Sequence, residues 1–189
     1  YWLVTSKGNV YNFNTSWYGS TAGKSLPAPI VSITSSGQGY LLTTSKGNVY
    51  TFNAPWYGSM AGKSLPAPIV SITSNGPGYL LTTSKGNVYT FNTPWYGSMA
   101  GKSLPAPVIG VAADPATGGY WLATSKGNVY NLNAPWYGSA AQTSLPAPVR
   151  TINTSGKIGT TDAGYLLTTS AGNVLPYNAD YHGSPVDPG

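Results

Sequence analysis

The chain has 189 residues, of which only 7% are charged; it carries one histidine, four aspartates, no glutamate and no cysteine, for a net charge of +5. Zero cysteines exclude disulfides and thiolate metal sites, and no apolar run approaches the ~20 residues a membrane-spanning helix requires. Gly 24 and Pro 16 punctuate the chain too regularly for a helical protein.

One unit is written five times, beginning at Tyr1, Tyr40, Tyr79, Tyr120 and Tyr165, at spacings of 39, 39, 41 and 45 residues. A second block, Ser-Leu-Pro-Ala-Pro followed by Ile or Val, begins at Ser25, Ser64, Ser103 and Ser144 and occurs four times. The third copy shows the pattern. Ile69-Val70-Ser71-Ile72 is a short apolar run that suits a strand buried on both faces. Ser74 to Gly78 is dense turn chemistry. A second strand runs from Tyr79 to Thr83, with Tyr79, Leu81 and Thr83 on one face and Leu80 and Thr82 on the other. Ser84-Lys85-Gly86 turns the chain into a third strand, Asn87 to Asn92, and Asn92-Thr93-Pro94 turns it again. Trp95 to Met99 is expected as a fourth strand, and Gly101 to Pro105 leads into the next copy.

Four short strands per copy, five copies and no helix predict a five-bladed β-propeller of ~39–45-residue, four-stranded repeats, forming one domain over 1–189. The first strand of the pattern occurs only four times, because the chain enters at the second. The tail, Ser184 to Gly189, resembles a shortened remnant of the Ser-Leu-Pro-Ala-Pro block: either it closes the ring, or the missing strand lies upstream, since the chain lacks an initial methionine and reads as a piece of something longer. Exchange between chains is a third reading.

The stretch Gly119-Tyr120-Trp121-Leu122-Ala123-Thr124-Ser125-Lys126-Gly127-Asn128-Val129-Tyr130, continuing to Trp136-Tyr137-Gly138-Ser139, resembles repeats found in tandem in secreted actinobacterial proteins. Their pattern is Gly-Tyr-Trp-Leu-Val-Ala-Ser-Asp-Gly-Gly-Val-Phe and, later, Phe-Tyr-Gly-Ser. All five copies follow it, with Lys for the first Asp (Ala171 in the fifth copy), Asn for the second Gly and Trp for the later Phe (Tyr181 in the fifth copy). The resemblance implies a propeller-like repeat domain and little about activity. At the level of architecture the array is also similar to tachylectin-type five-bladed lectins, which bind sugars at equivalent sites. Together with the Thr, Ser, Asn, Gly and Tyr richness, this points to a secreted or cell-surface protein.

Catalysis finds few residues to work with. Glycoside hydrolysis needs two carboxylates across one bond, whereas Asp114, Asp162, Asp180 and Asp187 stand in or near turns and none is repeated. Asp180, His182 and Ser184 alternate, yet residues two apart on a strand sit about 6.5 Å apart, too far for direct proton relay. The same stretch is the fifth copy of Trp-Tyr-Gly-Ser, so His182 merely replaces a tyrosine. The chain is therefore expected to be no enzyme, with no cofactor and no metal ligand set.

What recurs is aromatic. Trp17, Trp56, Trp95 and Trp136 hold equivalent places, each followed by a tyrosine: Tyr18, Tyr57, Tyr96 and Tyr137. An indole plane covers the apolar face of a pyranose while nearby Asn, Thr and Lys groups bond its hydroxyls, so these eight residues form the candidate ligand site of a lectin-like, multivalent carbohydrate binder. The opposing expectation is that the indoles pack between neighbouring blades and the chain is a structural or protein-interaction module of a larger secreted protein. Solvent exposure of Trp56 and Trp95 separates the two. Trp2 and Trp121 replace a leucine of the other copies and belong to the core. Lysine recurs too, at Lys7, Lys46, Lys85 and Lys126 in one turn and Lys24, Lys63 and Lys102 in the connection between copies. Alternating strand directions bring these two loops to one end of each blade, with the aspartates at the other. Without arginine partners such lysines are read as solubilising hairpin tips and not as a nucleic-acid surface.

Overall fold

The computed structural model describes residues 1–156 and 163–186. Every regular element among them is a β-strand. Strands β1 (Trp2–Val4) and β2 (Val10–Asn12) form a two-stranded sheet. Four three-stranded antiparallel sheets follow: β3 (Ile30–Ser36), β4 (Gly39–Thr44) and β5 (Val49–Phe52); then β6 (Ile69–Asn75), β7 (Gly78–Thr83) and β8 (Val88–Phe91). The others are β9 (Val108–Ala113), β10 (Tyr120–Thr124) and β11 (Val129–Leu132), and β12 (Val149–Gly156), β13 (Ala163–Thr169) and β14 (Val174–Tyr177). This is a repeated all-β architecture, one small sheet per sequence repeat. The chain divides into two compact units, Tyr1–Ser84 with Tyr89–Thr93, and Lys85–Val88 with Pro94–Gly189.

The middle strand carries the packing. All six residues of β4 and of β7 are buried, so both faces of a middle strand are covered. Alternation divides the work between neighbours. In the first unit Tyr40 and Leu42 pack with Val10 and Ile30 of the preceding repeat boundary, whereas Leu41 packs with Ile72, Tyr79 and Leu81 of the following sheet. The second unit repeats the scheme, with Trp121 and Ala123 packed against Tyr165 and Leu167. Within each unit the first strands, β3 and β6 or β9 and β12, also lie side by side. The Ser32 and Thr34 hydroxyls of β3 accept the Ile72 and Ser74 amides of β6, and Thr154 donates to the Ala113 carbonyl.

Two expectations need correction. The first strand of each sheet is not buried on both faces throughout, because its register shifts at the second residue: Ile30 pairs with Thr44 but Ser32 with Thr43, and the same shift recurs at Ile69 and Val149. Such a bulge leaves one residue unpaired and re-aims it. Val31 is consequently exposed, and the same bulge position takes an exposed Arg150 in β12. The other correction concerns the fourth strand. Trp95 to Met99 and its counterparts are not strands. Each contains a glycine, Gly19, Gly58, Gly97 and Gly138, at φ of +121, +130, +116 and +117, outside the range of a pleated strand. A single backbone bond returns from the segment to its own sheet, as in Met60 N–H to the Gly47 carbonyl at 2.9 Å.

The described start of the tail continues the fifth repeat. Pro185 and Val186 face Gly172, just as Met99 faces Gly86, so Pro185 takes the place of Met99. Asp187 and the two residues after it lie outside the described residues, as does Asp162.

Candidate functional site

The segments that failed to become strands are where the candidate site lies. Their backbone is held by the next repeat. Tyr79 Oη accepts the Tyr57 amide at 3.0 Å and donates to the Gly58 carbonyl at 2.7 Å. Tyr40 does the same for Tyr18 and Gly19, and Tyr120 for Tyr96 and Gly97, while Tyr165 donates to Gly138. The four clamping tyrosines are fully buried, so each hydroxyl is paired inside the protein. Burial pushes the hydroxyl pKa of Tyr40, Tyr79 and Tyr120 up, and that of Tyr165 up to about 12, against a smaller opposite pull from the backbone N–H groups.

A second contact fixes the same loop. A methyl group added at Gly58 would meet the Phe91 ring at 2.9 Å, and one at Gly19 the Phe52 ring at 3.0 Å. Glycine is thus required twice, by its φ and by the ring against its Cα. Tyr79→Phe should therefore loosen the loop, leaving the Gly58 carbonyl and the Tyr57 amide without their partner at a cost of about 1–3 kcal/mol. The expected readout is a lower urea midpoint at unchanged m-value.

With the backbone held from below, the indoles stay in water. Trp17, Trp56, Trp95 and Trp136 are 56%, 59%, 59% and 62% exposed. Burial between blades, the opposing expectation for these residues, does not occur. The tyrosines of the predicted set divide their surface: Tyr18, Tyr57, Tyr96 and Tyr137 lie with ring centroids 6.1–6.4 Å from the clamping tyrosines and are partly exposed. They serve as packing and rim at once. The fifth copy offers Tyr181, 48% exposed, where the others offer an indole.

Trp2 and Trp121 do point inward. Trp121 is fully buried and Trp2 half-buried, and their Nε1 groups donate to the carbonyls of Pro135 at 2.7 Å and Ser16 at 2.9 Å. Each pairs across the sheet with an asparagine, Asn12 or Asn131, whose Nδ2 donates to the carbonyl of Thr15 or Ala134. These four side chains brace the chain just ahead of Trp17 and Trp136, a role that the sequence reading missed. The signal was present: Trp and Asn occur together in the first and fourth copies, where the second has Leu41 opposite Thr51.

Asp114 is buried and serves its own loop, accepting the Ala116 amide at 3.1 Å and the Thr117 hydroxyl at 2.6 Å. That loop joins β9 to β10, at the end of the sheet away from Lys126, as the alternating strand directions predicted. Asp180, His182 and Ser184 are not on a strand, so the alternation that put them on one face is absent. Among the described residues no three His, Cys, Asp or Glu side chains group as metal ligands, and no helix is long and apolar enough to cross a membrane.

No family model and no curated protein matches the chain. Among solved structures it is similar to human WBSCR16, with 15% identity over 81% of this chain and 49% of that one at a TM-score of 0.42. BBS1N, in a complex with ARL6DN, gives 13% identity over 92% and 60% at a TM-score of 0.45. Apo AztD from Citrobacter koseri gives 8% identity over 80% and 48% at a TM-score of 0.38. The chain thus spans about half to three fifths of the length of these structures. Likeness at this level says nothing about what the chain binds.

Proposed function

We propose that the chain is a non-enzymatic, lectin-like carbohydrate-binding module of a five-bladed propeller, with one weak site at each exposed indole. Each blade comprises a three-stranded sheet plus the clamped Trp-Tyr-Gly-Ser segment in the position of a fourth strand. The side-by-side contact of first strands within each unit supports placing them innermost. The observation that carries the binding reading is the exposure of Trp17, Trp56, Trp95 and Trp136 at equivalent places on braced backbone. A packing role would have hidden these rings, and a large apolar ring kept in water at four equivalent places is a surface for a partner.

The ligand follows from the surface. An open, solvent-exposed ring suits the apolar face of a sugar better than a deep hydrophobic ligand. Half-covering one indole contributes of the order of 1 kcal/mol, so a single site is weak and its recurrence supplies useful affinity on a repetitive glycan. Secretion or display at a cell surface fits such a ligand. The test is a glycan array probed with the wild-type chain and with Trp95→Ala. Binding to a defined set of glycans, reduced by the substitution, is the expected result; a blank array, or signals indifferent to Trp95, contradicts the proposal.

A further inference from the structure

The lysines, set aside as hairpin tips, come together. In the second repeat a cleft of about 700 Å³ lies between the Ser45-Lys46 turn and the connection from Gly62 to Pro68, with Lys46 and Lys63 both in its lining. The first repeat has the same cleft, about 640 Å³, with Lys7 and Lys24. The fourth has a smaller one of about 370 Å³, with Lys126 alone, because Thr143 stands where Lys63 stands in the second repeat. Leu65, Ala67 and Pro68, or their counterparts, supply an apolar wall, and Ser45 and Ser64 supply hydroxyls. No aspartate lines any of the three clefts.

The clefts are framed by fixed backbone. The Lys46 turn is closed by Gly47 N–H to the Thr44 carbonyl at 2.9 Å and by Asn48 N–H to Thr44 Oγ1 at 3.1 Å. Lys63 N–H bonds the Met60 carbonyl at 3.0 Å, and Ser45 is tied through its amide to Pro29 and through its carbonyl to Ile69. Two lysines are thus carried on braced backbone beside one opening, with no carboxylate in the lining.

We propose that these clefts bind the carboxylate-bearing units of a linear acidic polysaccharide, one uronic-acid residue per cleft, with the lysine pair on the carboxylate and the apolar wall against the sugar ring. The size suits a sugar unit. Nucleic acid is disfavoured because the linings hold neither an aromatic ring for base stacking nor an arginine fork. No tryptophan lines the clefts, so this site goes beyond the indole platform and stands or falls separately from it. The sequence repeats the two-lysine composition at Lys85 and Lys102, and loses it in the fifth copy, where Ala171 replaces the turn lysine.

The test is calorimetric titration with hexagalacturonate, maltohexaose and a thymidine hexanucleotide. Hexagalacturonate should bind, and more weakly as salt rises. Replacing Lys46 and Lys63 together by glutamine should weaken it about tenfold, and Thr143→Lys, which completes the pair in the fourth cleft, should tighten it about threefold. Arg150→Ala removes a charge outside the clefts and should change affinity less than about twofold. Trp56→Ala with intact lysines should leave hexagalacturonate binding in place even where it abolishes binding of a neutral glycan. The proposal is overturned if Arg150→Ala matches the lysine pair, if Thr143→Lys has no effect, if maltohexaose binds equally well, or if the oligonucleotide binds more tightly than hexagalacturonate.

Discussion

Replacing Trp121 by alanine is expected to destabilise the protein by about 3–5 kcal/mol, whereas Trp136→Ala, in the same repeat, should change stability by less than about 0.5 kcal/mol. Trp121 is fully buried and packs against Tyr137 and Tyr165, with ring centroids 6.2 and 5.1 Å away. Its loss opens a cavity and removes the donor that the Pro135 carbonyl uses. Trp136 keeps most of its ring in water, so truncation exposes little that was hidden. Against a total stability of about 5–15 kcal/mol, the first change is severe and the second silent. Urea unfolding of the two variants decides it: equal midpoints would mean that the two indoles do not differ in burial.

Alkali should unfold the protein through its buried tyrosines. The Tyr165 hydroxyl, with an ordinary value of 10.0, is pushed up to about 12 by burial, and Tyr40, Tyr79 and Tyr120 shift in the same direction. As pH rises past the ordinary value the unfolded chain loses these protons while the folded chain retains them. Their contribution to stability is therefore complete below pH ~10 and is lost progressively as pH rises through the folded values, to about 12 for Tyr165. Urea midpoints should stay level up to about pH 9 and fall steeply from pH 10 upward. Phenolate absorbance should lag in the folded protein and jump on unfolding. Stability unchanged to pH 12 would contradict the clamp.

The repeat and three of its four expected strands were legible because period and alternation are properties of the chain itself. Tyr79, Leu80 and Leu81 announce a strand whatever surrounds them. The fourth strand was misjudged because Trp95-Tyr96-Gly97 has strand-like aromatics, while the deciding facts are tertiary: a glycine at positive φ over a ring, and a tyrosine hydroxyl from another repeat that takes the hydrogen bonds a ladder would have used. The bulge that turns Val31 outward was equally hidden, since an apolar Ile-Val pair reads as core. Exposure of Trp56 was undecidable in sequence, because an indole suits an interior and a binding face alike. Convergence of Lys46 and Lys63, by contrast, followed from counting strand directions.

The most direct test is the number of sugar sites per chain. A saccharide selected on the array, titrated calorimetrically into the wild-type chain, should occupy about four weak, equivalent sites, one for each exposed indole. Trp95→Ala should reduce the number to about three without altering the affinity of the rest. A single site, or a stoichiometry that ignores removal of Trp17, Trp56, Trp95 and Trp136, would contradict carbohydrate binding by the repeated tryptophans.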